Sequence, residues 1–176
     1  MPILAGVDTN LFYTINHGCS NSILNFLMPM ITILGSAKFV LAFAILLMLI
    51  VVKPKKIAGL LLFAGLVMSL FAVHFLKVLF AEPRPFMVLK NVHLLAAGLD
   101  KSPSFPSGHA TLAFMVAVIL ANYFKRKYLF FLIAIAICFS RVYLGVHYVS
   151  DVAAGALIGS AIGCVLVHLA KRLRRE

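Results

Sequence analysis

Long apolar runs separated by short basic loops dominate the sequence. A bilayer core of about 30 Å needs about 20 apolar residues per helix, with about 17 workable. Six runs of this kind are predicted, at about residues 22–34, 38–52, 57–80, 107–124, 128–144 and 151–170. The first run is the shortest and contains Pro29. The pattern therefore predicts an all-α integral membrane bundle of six helices.

The segments outside these runs are short, with one exception. Residues 1–20 carry apolar positions at helical spacing, which predicts a short N-terminal interfacial helix. No Lys or Arg precedes Lys38, so the basic region of a cleaved signal peptide is missing and the first crossing helix is expected to direct insertion. The exception is the proline-rich polar stretch 81–105, whose length predicts a functional loop. Without an internal repeat, residues 1–176 are expected to form one domain.

Composition agrees with a membrane protein and excludes other classes. The chain is 63% hydrophobic and 12% charged, whereas a soluble domain carries roughly 25% charged residues. The net charge of +11 does not predict nucleic-acid binding, because the basic residues fall in short clusters between apolar runs. Three cysteines without a CxxC spacing predict neither a disulfide framework nor a thiolate metal site.

The basic clusters predict the orientation in the membrane. The loops 53–56 and 125–127 and the tail from Lys171 carry ten basic residues on one side of the predicted bundle. The positive-inside rule makes that side cytoplasmic. Six crossings then place both termini in the cytoplasm and the loops 81–105 and 145–150 on the periplasmic or extracellular face of the cell (inner) membrane.

Three polar clusters interrupt the apolar pattern at this outer face. Ionisable groups inside or beside membrane segments are costly, and they are usually functional. The clusters span Lys77 to Pro85, Pro106 to His109, and Ser140 to Asp151. They are far apart in sequence, yet the predicted topology brings all three to the same side of the membrane.

The residue types in these clusters suit a phosphoryl group. Three cations can clamp its oxygens, where transition-state charge is spread: Lys77, Arg84 and Arg141. Pro106 and Ser107 indicate a helix start, so the amides of Gly108 and His109 are expected to point at an anion.

The histidines suit nucleophilic catalysis. His147 and Asp151 are four residues apart, so on a helix the carboxylate can hold one ring nitrogen and leave the other free to attack. His109, on another helix, can protonate the leaving alkoxide and later activate water.

These clusters resemble the three-part signature of the type 2 phosphatidic acid phosphatase superfamily: KxxxxxxRP, PSGH and SRxxxxxHxxxD. Every fixed position matches, and the resemblance covers about residues 57–165. It implies a six-helix membrane fold, a reaction without metal or cofactor, and a phosphohistidine intermediate. It also implies His147 as nucleophile, Asp151 as its partner and His109 as general acid. The phosphate-binding residues that it implies are Lys77, Arg84, Ser107, Gly108 and Arg141.

The expected function is therefore hydrolysis of a lipid phosphate or diphosphate at the outer face. Candidate substrates are phosphatidylglycerol phosphate, phosphatidic acid, undecaprenyl diphosphate and lipid A 1-phosphate. One alternative is a lipid-to-lipid phosphotransferase, in which another alcohol captures the phosphohistidine. Another is a non-catalytic membrane protein that keeps an anion site. Chemistry on water-soluble esters, or haloperoxidase chemistry, would share the same signature.

Several other polar or small residues receive plainer interpretations. His74 is expected to contact a neighbouring helix or support the site without acting in catalysis. Glu82 and Asp100 are too few for a binuclear metal site. Three basic or histidine residues of the loop 81–105 are expected to be solvated: Lys90, His93 and Lys101. A stripe of small residues in the last helix is expected to pack helices within the monomer: Gly155, Gly159 and Gly163.

Overall fold

The computed structural model describes residues 2–51, 56–95 and 101–173, with only the backbone for residues 2–5. Within these residues the chain forms eight helices and no strand, which confirms the predicted all-α class. The helices are α1 (Pro2–Asn16), α2 (Ser22–Ile33), α3 (Ala37–Ile50), α4 (Lys56–Phe80), α5 (Pro85–Val88), α6 (Gly108–Tyr123), α7 (Lys127–Tyr143) and α8 (Val149–Arg172). The basic loop residues 53–55, Asp100 and the tail 174–176, which entered the predictions, lie outside the described residues.

Helix α6 lies at the centre of the bundle, against α4, α7 and α8. Its contact with α8 is close because the predicted glycine stripe faces it. A Cβ atom at Gly155 would lie 2.5 Å from the Ser107 carbonyl oxygen, and one at Gly159 would overlap the Thr111 carbonyl. The stripe therefore packs helices within the monomer, as predicted, and brings the start of α8 beside the start of α6.

The chain does not reverse direction between α2 and α3. The sequence predicted two separate crossings joined by a tight turn at Gly35, but the two helix axes are bent by only 57°. The amides of Leu34, Gly35 and Ser36 each donate to the carbonyl three residues earlier, which continues the helical winding through the break. Ser36 then caps α3 through the Phe39 amide. Helices α2 and α3 therefore continue in one general direction with a bend between them. The prediction of two separate crossings joined by a reversing turn is wrong.

The helices identify a membrane protein but do not confirm six crossings. Among the described residues, two segments are long and apolar enough to cross a bilayer: Lys56–Val88, which contains α4, and α8. The bent pair α2–α3 makes a third when it is counted as one span, and α6 is a shorter apolar helix. The number of crossings beyond these stays a prediction.

Helix α1 lies at the end of the bundle where α7 ends and α8 begins. Asp8 accepts a hydrogen bond from the Ser150 amide at 3.1 Å, and the Asn16 side chain donates to the Tyr143 carbonyl at 2.8 Å. Arg172, 22 residues after Ser150 at the other end of α8, is about 33 Å away at 1.5 Å per residue. This arrangement disagrees with the prediction that both termini lie on one face, because that prediction counted α2 and α3 as two crossings. The interfacial location of α1 stays a prediction.

Candidate active site

His147 and Asp151 form a buried pair at the start of α8. The Nδ1 atom of His147 lies 3.1 Å from Oδ2 of Asp151, and both side chains are almost fully buried. The same oxygen accepts the Tyr148 amide at 2.8 Å. Burial, followed by the charges of Glu82 and Asp151, raises the pKa of the Tyr148 phenol to about 12, so this neighbour stays neutral. The geometry fixes one ring nitrogen of His147 and leaves Nε2 on the other side.

Arg84 faces that second nitrogen. Its Nη1 atom lies 3.4 Å from Nε2 of His147 and donates to the Val146 carbonyl at 3.3 Å. The other side of the guanidinium donates to the Ser102 carbonyl at 2.8 Å and to the Ser102 hydroxyl at 3.1 Å. The side chain is 3% exposed, so its position is fixed by these contacts.

The loop before α6 connects the clusters to one another. Lys77, on the last turns of α4, donates to the Pro103 carbonyl. Ser104 is completely buried, and its hydroxyl donates to Oδ2 of Asp151 and lies 3.3 Å from Nδ1 of His147. The sequence analysis missed Ser104, because nothing in its spacing distinguishes it from other loop serines. The available signal was its position between Pro103 and Pro106, which stiffen the chain next to a predicted catalytic cluster.

The second cluster opens α6 as predicted, but Ser107 faces away from the cavity. Its hydroxyl accepts the Ala110 amide as the N-cap, at 3.5 Å, and its own amide donates to the Asp151 carbonyl at 3.0 Å. Gly108 and His109 form the first turn and line the cavity. The exposed backbone amides of that turn are the groups that suit an anion there.

Arg141 approaches from α7, and its Nη1 atom donates to the Thr32 hydroxyl of α2 at 2.7 Å. Helix α2 therefore supplies the wall opposite the start of α8. Its residues Pro29, Thr32 and Ile33 line the cavity together with Ser36. None of these four was predicted from the sequence.

Six of the eight predicted site residues line one cavity of about 620 Å³: Lys77, Arg84, Gly108, His109, Arg141 and His147. Asp151 and Ser107 lie directly behind this lining and support it. None of the described residues that line the cavity is acidic, so three cations give it a positive lining. The chemical roles of these residues stay predictions, but the three sequence clusters do converge.

A second cavity of about 200 Å³ lies deeper in the bundle, between α3, α6 and α7. Its lining is apolar. On α6 it begins at Ala113, one turn below His109, and on α7 at Ile137, one turn below Arg141. The turn between α2 and α3 borders both cavities, since Ser36 lines the first and Leu34 lines the second.

The remaining polar residues lie outside the cavity. His74 is exposed on α4 and does not line the cavity, and its expected supporting role stays a prediction. The Lys90 carbonyl accepts the Tyr13 hydroxyl at 2.7 Å, while His93 bonds to Asn16 and Ser20. Within residues 2–51, 56–95 and 101–173, no group of three or more His, Cys, Asp and Glu could hold a metal ion. The metal-free reaction stays a prediction.

Comparison with known proteins gives the family. The PAP2 superfamily profile matches residues 58–175, which include all eight site residues predicted from the sequence. The chain belongs to the PAP2 superfamily.

Several relatives of this PAP2 protein are named as lipid phosphatases. It is 32% identical to the undecaprenyl-diphosphatase of Sulfolobus acidocaldarius over 169 residues, which cover 93% of this chain and 79% of that protein. It is 29% identical to the lipid A 4'-phosphatase of Porphyromonas gingivalis, over 93% of this chain and 72% of that protein. Three further relatives match over less than half of their own length.

The fold of this PAP2 protein also has a solved counterpart. The crystal structure of LpxE from Aquifex aeolicus superposes with a TM-score of 0.82 and 31% sequence identity, covering 91% of this chain and 94% of that chain. Together with the apolar helices, these likenesses identify a membrane phosphatase of lipid metabolism.

Proposed function

We propose that this PAP2 protein hydrolyses a phosphate monoester or a terminal phosphate of a lipid at the non-cytoplasmic face, through a phosphohistidine on His147. The proposal rests on one observation. The Nδ1 atom of His147 is held by Asp151, while Nε2 faces Arg84 in a cavity lined by cations. A histidine in this setting is suited to attack phosphorus.

The first chemical step forms the phosphoenzyme. Lys77, Arg84 and Arg141 hold the phosphoryl oxygens and neutralise the charge that spreads over them in the transition state. Nε2 of His147 attacks phosphorus, and the bond from phosphorus to the lipid oxygen breaks. His109, protonated, gives its proton to that leaving oxygen.

The second step releases phosphate. Neutral His109 takes a proton from water as the water oxygen attacks the phosphohistidine, so the N–P bond breaks and inorganic phosphate leaves. Asp151 keeps the ring of His147 oriented and compensates its positive charge in both steps. Ser107 contributes by capping α6, so that the amides of Gly108 and His109 are directed at the phosphoryl group.

The membrane arrangement follows from charge. We infer five crossings, made by the bent pair α2–α3 and by α4, α6, α7 and α8. The ends of α4, α6, α7 and α8 that lie away from the cavity carry six basic residues among those the structure describes: Lys56, Lys125, Arg126, Lys127, Lys171 and Arg172. The positive-inside rule assigns those ends to the cytoplasm of the cell (inner) membrane. The cavity and α1 then lie at the periplasmic or extracellular face.

A lipid substrate is supported by the apolar cavity one turn below the catalytic residues. It continues the faces of α6 and α7 that carry His109 and Arg141, and its lining is apolar, as an acyl or prenyl chain requires. The activities of the relatives favour undecaprenyl diphosphate and lipid A phosphates among the predicted substrates. Phosphatidylglycerol phosphate and phosphatidic acid complete the set to be tested.

The test is phosphate release from each of these four lipids by the purified protein in detergent micelles, with a chelator present. We expect release from at least one lipid, undiminished by the chelator and abolished in His147→Ala. A parallel assay with an added lipid alcohol reports phosphotransfer as a phosphorylated acceptor. No release from any of the lipids, or full activity in His147→Ala, would contradict the proposal.

A further inference from the structure

A short loop segment behind the predicted catalytic groups bonds to several of them. It consists of Ser102, Pro103 and Ser104 and is here called the collar. Ser102 accepts two hydrogen bonds from Arg84, and the Pro103 carbonyl accepts Lys77. Ser104 bonds to Asp151 and lies beside His147. The collar therefore touches two of the three sequence clusters, although no residue of it belongs to the family signature quoted above.

Ser104 is held rigidly within the collar. Its amide donates to the Glu82 carbonyl at 2.7 Å, two residues from Arg84 along the chain. Its side chain is completely buried, so bulk water does not compete for hydrogen bonds to the hydroxyl. The hydroxyl thus approaches Asp151 from a fixed direction.

Asp151 depends on this hydroxyl because all its described hydrogen bonds fall on one oxygen. Oδ2 accepts Ser104, the Tyr148 amide and His147, whereas Oδ1 is buried and has no partner among the described residues. Ser104 and the Tyr148 amide are the two donors, other than the histidine, that fix the plane of the carboxylate. Loss of Ser104 leaves the Tyr148 amide as the one described donor, besides the histidine, that orients the carboxylate.

The hydroxyl also bears on the tautomer of His147. A serine hydroxyl has one proton, and here that proton goes to the carboxylate. The Ser104 oxygen can then only accept from Nδ1, which it approaches at 3.3 Å. Both neighbours of Nδ1 are therefore acceptors, which fixes the proton on Nδ1 and leaves the lone pair on Nε2.

We propose that Ser104 is a positioning residue for the nucleophile, which holds the Asp151 carboxylate in the plane of the His147 ring and so aligns the hydrogen bond from Nδ1 to that carboxylate. It acts through these two side chains and does not touch the substrate. The inference rests on the proposed function of His147, but its geometric part can be measured without turnover.

The kinetic test compares Ser104→Ala with Ser104→Thr, which keeps the hydroxyl. In Ser104→Ala we expect kcat on the lipid that the wild-type protein hydrolyses to fall by about 10- to 100-fold, the usual scale for residues that orient a catalytic ligand, with KM within about twofold. Ser104→Thr should recover most of the loss. Ser69→Ala is the matched control, because Ser69 is another buried serine, on α4, whose hydroxyl has no partner among the described residues.

The geometric test is nitrogen NMR of protein in detergent that carries isotope-labelled histidine, with His147 assigned by the signals lost in His147→Gln. The wild-type spectrum should show a protonated Nδ1 and an unprotonated Nε2, and Ser104→Ala should shift the Nδ1 signal, because the hydrogen bond from Nδ1 to Asp151 loses its alignment. If Ser104→Thr does not fold, the NMR comparison of the wild-type protein with Ser104→Ala tests the positioning role by itself.

The two failures are distinguishable. If the wild-type protein hydrolyses no lipid but its His147 spectrum still changes in Ser104→Ala, the proposed function fails and the positioning role stands. An unchanged His147 spectrum in Ser104→Ala overturns the positioning role, as does an unchanged kcat. A fall in kcat matched by Ser69→Ala, or an equal rise in KM, would also overturn it, because either indicates a general packing defect.

Discussion

Nη1 of Arg84 lies 3.4 Å from Nε2 of His147 inside the cavity. The guanidinium thus stands beside the atom that we propose as nucleophile, and the opposite ring nitrogen is held by Asp151. An oxygen of a bound phosphoryl group can take the place of Nε2 as acceptor for Arg84. Arg84 would then hold the phosphoryl group next to Nε2, so the phosphorus atom lies within reach of His147.

This arrangement predicts that Arg84 cannot be replaced by lysine. Lysine keeps the charge but loses the planar fork that bonds Ser102 on one side and faces His147 on the other. We expect kcat/KM for Arg84→Lys to fall by at least about tenfold, the scale of one charged hydrogen bond. Steady-state kinetics on the hydrolysed lipid measure the effect. Arg126→Lys, at an exposed position on the opposite end of the bundle, is the control and should match the wild type.

The proposed acid role of His109 predicts a dependence on the leaving group. His109→Ala should lower kcat by about 100-fold or more on a lipid phosphate, whose alkoxide needs a proton. The loss of the phosphorylation rate should be much smaller on an aryl phosphate with an acidic phenol. Single-turnover rates on the two substrates test this, and equal losses on both would contradict the acid role.

The apolar cavity predicts a dependence on chain length. Val116 lines that cavity and is half-buried, so Val116→Phe should partly fill it. We expect KM for a long-chain lipid phosphate to rise several-fold, with KM for a short-chain analogue unchanged. Val165→Phe is the control, since Val165 is 50% exposed on α8 away from this cavity. Equal effects of Val116→Phe on both substrates would place the lipid chain elsewhere.

The glycine stripe predicts a stability effect. A Cβ atom at Gly159 would overlap the Thr111 carbonyl, so Gly159→Ala must separate α6 from α8. The expected cost is about 1–3 kcal/mol, the range for overpacking. Thermal unfolding in detergent should show a lowered midpoint, whereas Gly6→Ala, with open space around the added atom, should not.

Much of the site was predictable because its signals are local. The spacing of His147 and Asp151 indicates a shared helix face, and Ser107 next to Gly108 indicates a helix start. Apolar runs and basic loops then placed these signals at one side of a membrane. Such inferences need only helix periodicity and the energetics of charge in a bilayer.

Contacts that depend on chain direction were not predictable. Gly35 and Ser36 suit either a reversal or a bend, and only packing against α7 and α6 decides between them; Gly35 indeed lies against Ile137 and His109. The bend brings Thr32 to Arg141, so the α2 wall of the cavity was missed as well. Ser104 was missed because it meets Asp151 only after the loop folds back. The signature also does not show that the Ser107 hydroxyl caps the N-terminus of α6.

The most direct test of the central claim is trapping of the phosphoenzyme. Purified protein is mixed with a radiolabelled lipid phosphate, quenched in alkali within one turnover, and digested to locate the label. We predict an acid-labile, alkali-stable phosphohistidine at residue 147 that is absent in His147→Ala. Label at another residue, or turnover by the wild-type protein without any labelled protein on this timescale while His147→Ala remains active, would contradict the account.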